Sequence, residues 1–384
     1  MEKILFIQPS LSGIGGVERI LPSVGAGLVD KGYRVSTASF YDDVTFVPVW
    51  SQTHVTIGEI ATTGFLNKIN KIWYRCKFIL HTIKVEQPDV IIISTHGSSL
   101  IGLFLKAVKL INLPVLIYVH QALSASDRGY MFGTKWLYRY ASGFICVSKG
   151  VAQEIEVHVK SVPTVIAYNP LPSPSEAIEE VLIIERREHP VLITASRLES
   201  VRGIDILIDF CCQYFTTAAG ELWILGEGSL RSELERRVQS ANMKSRIRFF
   251  GSVTNVQEYL KQADVYVSCA RAEAFGVALI EALSAGLPLL CSDVNYGPRE
   301  VMKVTAQPKV YPFRTDYGYL ISPISQKEKV NTHSKSYSDF CYALTEMQTN
   351  NNLFIESNLV GRSNDFTTSA AVTSILKLLN EIKK

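Results

Sequence analysis

Two doubly wound α/β domains facing each other across a cleft are what this 384-residue sequence predicts. Three observations carry that expectation. Short apolar, β-branched runs alternate with longer helix-periodic stretches from the start of the chain, which is the pattern of βαβ units on a parallel sheet. The alternation breaks once, at the proline-rich segment Tyr168–Ser175, whose three prolines cannot continue a helix or a central strand. It then restarts with the same rhythm.

In the first half the strands are expected at Ile4–Ile7, Val35–Phe40, Val90–Ile93 and Val115–Val119, with helices over Val17–Lys31 and Leu100–Ile111. In the second half strands are expected at Val191–Ala195, Glu221–Leu225, Ile247–Phe250, Val265–Ser268 and Leu287–Cys291. Helices over Ile204–Phe215, Leu230–Ala241 and Val277–Ala285 lie between them. This gives an N-terminal domain over residues 1–172, a linker over 173–189 and a second domain over 190–364. A last apolar-periodic helix over 365–384 is expected to pack back on the N-terminal domain.

Composition narrows the function classes. With 47% hydrophobic and 20% charged residues, and 24 Gly and 15 Pro spread along the chain, disordered, collagenous and coiled-coil proteins are excluded. A net charge of +3 is too balanced to call for nucleic acid. Its distribution is uneven, because residues 1–175 hold 16 basic and 11 acidic side chains against 23 and 25 in the remainder. That places a positive field on the front half and suggests an anionic surface or substrate there. The seven cysteines are scattered and contain no C-x-x-C, so neither a disulfide framework nor a zinc ribbon is readable, and a reducing cytoplasm is the expected setting. No apolar run approaches the ~18–20 residues that span a bilayer, and the apolar start is too short for a signal peptide.

The most informative stretch is Ser268–Pro288, in which a strand ends in a loop bearing Glu273 and a helix begins near Phe275 and Gly276. The amides and positive dipole end of such a helix suit a phosphate. Glu281 lies about five residues into that helix, ~8 Å along its axis at ~1.5 Å per residue, and so suits the two hydroxyls of a ribose. The turn containing Gly13, Gly15, Gly16 and Glu18 does not complete a dinucleotide fingerprint, which disfavours a dehydrogenase. Asp42 and Asp43 read as a solvated turn, and no Asp-x-Asp stands at a strand end to bind a metal. His120 ends the strand Val115–Val119. The segment Leu66–Lys84 carries Lys68, Lys71, Arg75, Lys77 and Lys84 with no acid and an aromatic edge, the composition of a helix that lies on an anionic membrane.

At these residues the sequence resembles the GT-B glycosyltransferases, specifically the retaining family four, whose signature is two glutamates separated by seven residues, as Glu273 and Glu281 are. The resemblance extends through Ala282–Pro288, Gly297–Val301, the Ser196, Arg197, Leu198 segment with Arg202 and Gly203, the Leu225–Ser229 strand end, and Gly15–Arg19, and touches most of residues 4–325. It implies a GT-B fold in which Glu281 binds the ribose and Glu273 the donor sugar. Arg197 and Arg202, with the backbone of Gly15, Gly16, Phe275 and Gly276, would neutralise the diphosphate, and His120 would support the sugar in the transition state. No metal cofactor is implied.

The activity implied is metal-independent, retaining transfer of a hexose or N-acetylhexosamine from a nucleotide sugar, UDP favoured over GDP, to a lipid-linked glycan of bacterial surface polysaccharide, such as lipopolysaccharide O-antigen or capsule. The enzyme is expected at the inner face of the cytoplasmic membrane, held peripherally. The alternatives are another GT-B enzyme acting on nucleotide sugars, an epimerase or soluble-sugar synthase, and a binding protein without turnover. Two departures from the family pattern stand out. Arg202 replaces the usual Lys, exchanging a compact ammonium for a planar fork, and Lys303–Asp316 is longer than the usual connection.

Overall fold

A computed structural model of the chain describes residues 2–10, 16–41, 51, 53–57, 65–123, 134–172, 184–185, 190–324, 334–350 and 353–383. The chain divides into two compact units, Met1–Pro172 with Thr367–Lys384, and Ser173–Phe366.

The first unit is built on a seven-stranded, wholly parallel sheet, β1 (Lys3–Gln8), β2 (Arg34–Ser39), β3 (His54–Thr56), β4 (Val90–Ser94), β5 (Val115–Val119), β6 (Gly143–Cys146) and β7 (Thr164–Ile166), in the order β3-β2-β1-β4-β5-β6-β7. The central strands β4 and β5 are buried at every position, as expected of near-continuous apolar runs covered on both faces. Helices α1 (Gly16–Asp30), α2 (Phe65–Glu86), α3 (His96–Ala107) and α4 (Lys149–His158) form the crossovers, and residues 134–138 are also helical.

The second unit repeats the plan. Strands β8 (Val191–Ala195), β9 (Glu221–Leu225), β10 (Ile247–Gly251), β11 (Val265–Ser268), β12 (Leu289–Ser292), β13 (Phe313–Thr315) and β14 (Gly318–Ile321) take the order β10-β9-β8-β11-β12-β14-β13. All are parallel except the β13–β14 pair. Its helices are α5 (Ile204–Tyr214), α6 (Arg231–Ser240), α7 (Val256–Leu260), α8 (Val277–Ser284), α9 (Gly297–Val301), α10 (Lys335–Thr349) and α11 (Glu356–Ser363). A core of Leu192, Leu207, Phe210, Ile224, Val267, Leu290 and Phe340 joins the sheet to α5 and α10.

The last helix, α12 (Thr368–Glu381), starts at a Thr367 cap whose side chain accepts from the Ala370 amide. It packs on α1, β6 and β7 of the first unit. The approach is close enough to require glycine at Gly27, where a Cβ would stand 2.8 Å from Val372 Cγ2.

Two elements differ from the sequence expectation in instructive ways. Helix α3 begins at His96 rather than Leu100, because its first turn is made of small polar residues, Ser98 and Ser99, that are buried without contributing apolar periodicity. The long connection Lys303–Asp316 holds strand β13, which adds an antiparallel edge to the sheet.

Candidate active site

Arg197, Arg202 and Glu273 in the second unit and His120 in the first follow the carboxyl ends of parallel strands, where open α/β sheets bind ligands. In the second unit, Ser196 and Arg197 follow β8, and Gly226 and Gly228 follow β9. The two loops are pressed backbone to backbone. A Cβ on Gly226 would lie 2.0 Å from the Ser196 carbonyl oxygen, and the Leu198 amide donates to the Glu227 carbonyl at 2.9 Å. This fixes the short segment and leaves the Arg197 side chain exposed. The chain then makes a single 3₁₀ turn, Ser200–Arg202, and enters α5 through Gly203, which has φ 64°.

Arg202 Nη1 donates to Glu273 Oε2, an ion pair whose side chains keep 25% and 19% of their surface exposed. Glu273 forms a parallel bridge with Tyr296, and its carbonyl accepts from the Gly297 amide at 3.3 Å. Gly297 lets the two loops meet, since a Cβ there would fall 2.4 Å from the Phe275 carbonyl oxygen. Gly276 has φ 92° and starts α8, so the N-terminal amides of that helix open close to Glu273 in sequence. Further along α8, Glu281 is only 3% exposed, and its carbonyl accepts from Gln257 Nε2 and Ser284 Oγ at 3.2 and 2.7 Å.

Phe275 serves the site through its backbone alone. Its ring is fully buried and meets the Phe366 ring edge-on at 5.3 Å, so the side chain is a packing anchor and only its backbone remains for a diphosphate.

Supporting residues that spacing alone did not reveal hold this edge together. Arg271 makes a double hydrogen bond to Asp205 at 2.8 and 2.8 Å and donates to the Ser200 carbonyl at 2.6 Å, tying the Glu273 loop to the turn that carries Arg202. Burial pushes the Asp205 carboxyl up, but the hydrogen bonds and charge of Arg271 outweigh it and hold the group below its ordinary range. After β12, the buried Asp293 pairs with Arg299 at 2.5 and 3.0 Å and accepts from the Tyr311 hydroxyl. Burial and the neighbouring Asp293 push the Tyr311 phenol up to about 12. The long Lys303–Asp316 connection thus supplies an anchor to the loop that follows β12.

In the first unit His120 follows β5, and its ring lies 4.1 Å from that of Tyr118. Burial pushes the His120 imidazole down to about 3, keeping it neutral at physiological pH. His96, at the start of α3 after β4, shares a 2.6 Å hydrogen bond with the Tyr138 hydroxyl. Burial also lowers His96, opposed by the charge of Glu154. His96 was missed in the sequence because two polar residues, Ser94 and Thr95, separate it from the apolar run Val90–Ile93, whereas His120 directly follows its own. Gly15 lies outside the described residues, and Gly16 opens α1.

Helix α2 bears the basic segment. Ile72, Trp73 and Tyr74 are each more than half exposed, and Lys77 Nζ stands 3.6 Å over the Trp73 ring. Lys71 is part-exposed, and the side chain of Lys68 lies outside the described residues. Arg75 corrects the sequence expectation, since its guanidinium turns inward over Phe40 and donates to the Tyr41 hydroxyl at 3.0 Å. Among the described residues no helix is long and apolar enough to cross a membrane, and no group of three or more His, Cys, Asp or Glu side chains could hold a metal ion.

Comparison with known proteins decides the family. The family model described as Glycosyltransferase Family 4 matches residues 14–172, and that described as Glycosyl transferases group 1 matches residues 179–327. The chain belongs to the group 1 glycosyltransferases. This glycosyltransferase is 26% identical over 325 residues to an uncharacterised glycosyltransferase of Methanocaldococcus jannaschii, covering 78% of this chain and 79% of that one. It is 22% identical over 322 residues to the lipopolysaccharide 1,6-galactosyltransferase of Salmonella typhimurium, covering 80% and 85%. The structure of Anabaena HepE in complex with UDP-glucose superposes with a TM-score of 0.71 at 19% identity, over 99% of this chain and 100% of that one. The glycosyltransferase has the GT-B fold, as the sequence resemblance implied.

Proposed function

We propose that this glycosyltransferase moves a hexose or N-acetylhexosamine from a UDP-sugar to a growing, lipid-linked glycan of a bacterial surface polysaccharide, with retention at the anomeric carbon. The observation that carries the reading is the cluster at the carboxyl edge of the second sheet: the Arg202–Glu273 pair, Arg197 on the neighbouring loop, and the start of α8. Cleavage of the anomeric C–O bond leaves negative charge on the β-phosphate of the departing UDP. Two guanidinium groups and a helix N-terminus stabilise that charge without help from a metal ion. The acceptor oxygen bonds to the same face of the anomeric carbon, and its proton passes to the leaving phosphate. Glu273 orients the donor sugar, Glu281 holds the ribose, and neutral His120 donates or accepts a hydrogen bond at the sugar.

Two relatives support the donor and the acceptor class. The Salmonella relative is named for transfer to lipopolysaccharide, and HepE was solved with UDP-glucose. The exposed Ile72, Trp73 and Tyr74 with Lys77 support peripheral contact with the inner face of the cytoplasmic membrane. Incubation with a UDP-sugar panel and a lipid-linked acceptor extract tests the proposal. Acceptor-dependent UDP release with a product heavier by one hexose or N-acetylhexosamine is expected. Binding of UDP-sugars without turnover across the whole panel would make the chain a binding protein instead.

A further inference from the structure

At the carboxyl end of β5 lies a cavity of about 30 Å³, lined by Thr95, His96, Tyr118, His120, Gln121 and Tyr138 among others. That volume is enough for one water or one hydroxyl group. Two wall residues carry buried polar atoms with no hydrogen-bond partner, Tyr118 Oη and His120 Nδ1. Tyr118 is only 2% exposed, so its phenol has no recourse to bulk solvent. The two residues stand two apart on one chain, which sends both side chains to the same side of the sheet, and their ring centroids lie 4.1 Å apart with the planes tilted by 33°. Buried polar groups are ordinarily satisfied, and two orphans at one cavity call for a shared partner. The wall also contains backbone strain, since the β-branched Thr95 is held at φ 72°, ψ 146°, a region otherwise kept to glycine.

We infer that this cavity is a site for a single hydroxyl group, from water or from a sugar, which bridges the Tyr118 phenol to Nδ1 of His120 and fixes His120 as its Nε2–H tautomer. The direction follows from counting protons. The phenol donates to the bridging oxygen, the bridging O–H donates to Nδ1, and Nε2–H remains to point a donor at a sugar oxygen. Reversed, Nδ1–H and the phenol would both donate to the bridging oxygen, and its own O–H would find no acceptor in either group. Burial raises the Tyr118 phenol and lowers the imidazole, so both stay in the neutral forms that the relay needs. Tyr118 is thereby a positioning residue acting through His120. The inference rests on the proposed contact of His120 with the sugar.

The test uses the full chain labelled with ¹⁵N-histidine and long-range ¹H–¹⁵N correlation spectra at neutral pH, with His120→Gln to assign the signal among the seven histidines. Spectra are taken alone, with UDP-glucose, and with UDP plus acceptor extract. The Nε2–H pattern without ligand assigns the bridge to water, and its appearance only with donor or acceptor assigns it to a sugar hydroxyl. An Nδ1–H pattern, or a tautomer mixture in all three states, overturns the inference. Tyr118→Phe should turn the signal into a mixture and lower kcat about tenfold with KM little changed, as loss of one relayed hydrogen bond requires. A thermal melt checks that Tyr118→Phe is folded, and an unaltered tautomer in that folded variant also refutes the bridge. Should the tautomer be as stated while His120→Gln keeps full turnover, the sugar contact fails and the bridge stands.

Discussion

Arg202 is the side chain whose replacement reports most on this site, because it joins Glu273, the proposed sugar-binding carboxylate, to the edge proposed to hold the diphosphate. Its pair with Glu273 keeps about a fifth to a quarter of each side chain exposed, so the ground-state attraction is screened and contributes little to stability. The catalytic cost is larger. A charge-assisted hydrogen bond to the departing β-phosphate is worth about 1.5–3 kcal/mol, so Arg202→Ala should lower kcat/KM by roughly 10- to 150-fold. Arg202→Lys restores the charge but not the fork, and one ammonium serves the carboxylate and the phosphate less well than two guanidinium edges do. It should recover part of the loss, chiefly in KM.

The assay is continuous UDP release, with kcat and KM determined separately for Arg202→Ala, Arg202→Lys, Glu273→Gln and the Arg202→Ala, Glu273→Gln double variant. Residues in direct contact are expected to be non-additive, the double variant losing less than the sum of the two single losses. Full activity in Arg202→Ala, or strict additivity with Glu273→Gln, would refute the idea that the pair acts as one unit.

Three further outcomes are expected. Glu281→Ala should weaken UDP binding by about 1.5–3 kcal/mol in calorimetry, and unchanged affinity would remove the ribose from that residue. The Asp205 carboxyl lies below its ordinary pKa in the folded chain, so its contribution to stability is complete above the ordinary carboxylate range and is lost as pH falls through its lowered value. Thermal melts from about pH 6 down to about pH 2, which roughly bracket that range, should therefore show a shallower decline for Asp205→Asn than for the parent. Replacing Lys71 and Lys77 with Gln and Trp73 with Ala should reduce salt-sensitive binding to anionic vesicles, and unchanged sedimentation with the vesicles would return α2 to a purely structural helix.

The fold was legible where burial is two-sided. Runs such as Val90–Ile93 and Val115–Val119 match β4 and β5 because a covered parallel strand is apolar throughout. The short edge strands β3, β7 and β13 leave no such trace, since three residues with part-exposed positions carry no readable period. In the site, the motif residues could be named by position but not their supports. Arg271 and Asp205 stand 66 residues apart and Arg202 and Glu273 stand 71 apart, so only the folded chain reveals the pairs. Orientation was equally hidden. Composition put Arg75 among the cations of a membrane-facing helix, whereas cation–π contact and the Tyr41 hydroxyl draw it inward. The packing of the Phe275 ring against Phe366, beneath the backbone expected to meet the diphosphate, was likewise unreadable.

The claim that the second unit grips a diphosphate is tested most directly by titrating UDP and UMP into the parent and into the Arg197→Ala, Arg202→Ala double variant. The parent should bind UDP far more tightly than UMP, and the double variant should bind the two nearly alike, because the β-phosphate is what the guanidinium groups and the start of α8 hold. Equal affinities in the parent, or a preference for UDP that survives in the double variant, would contradict it.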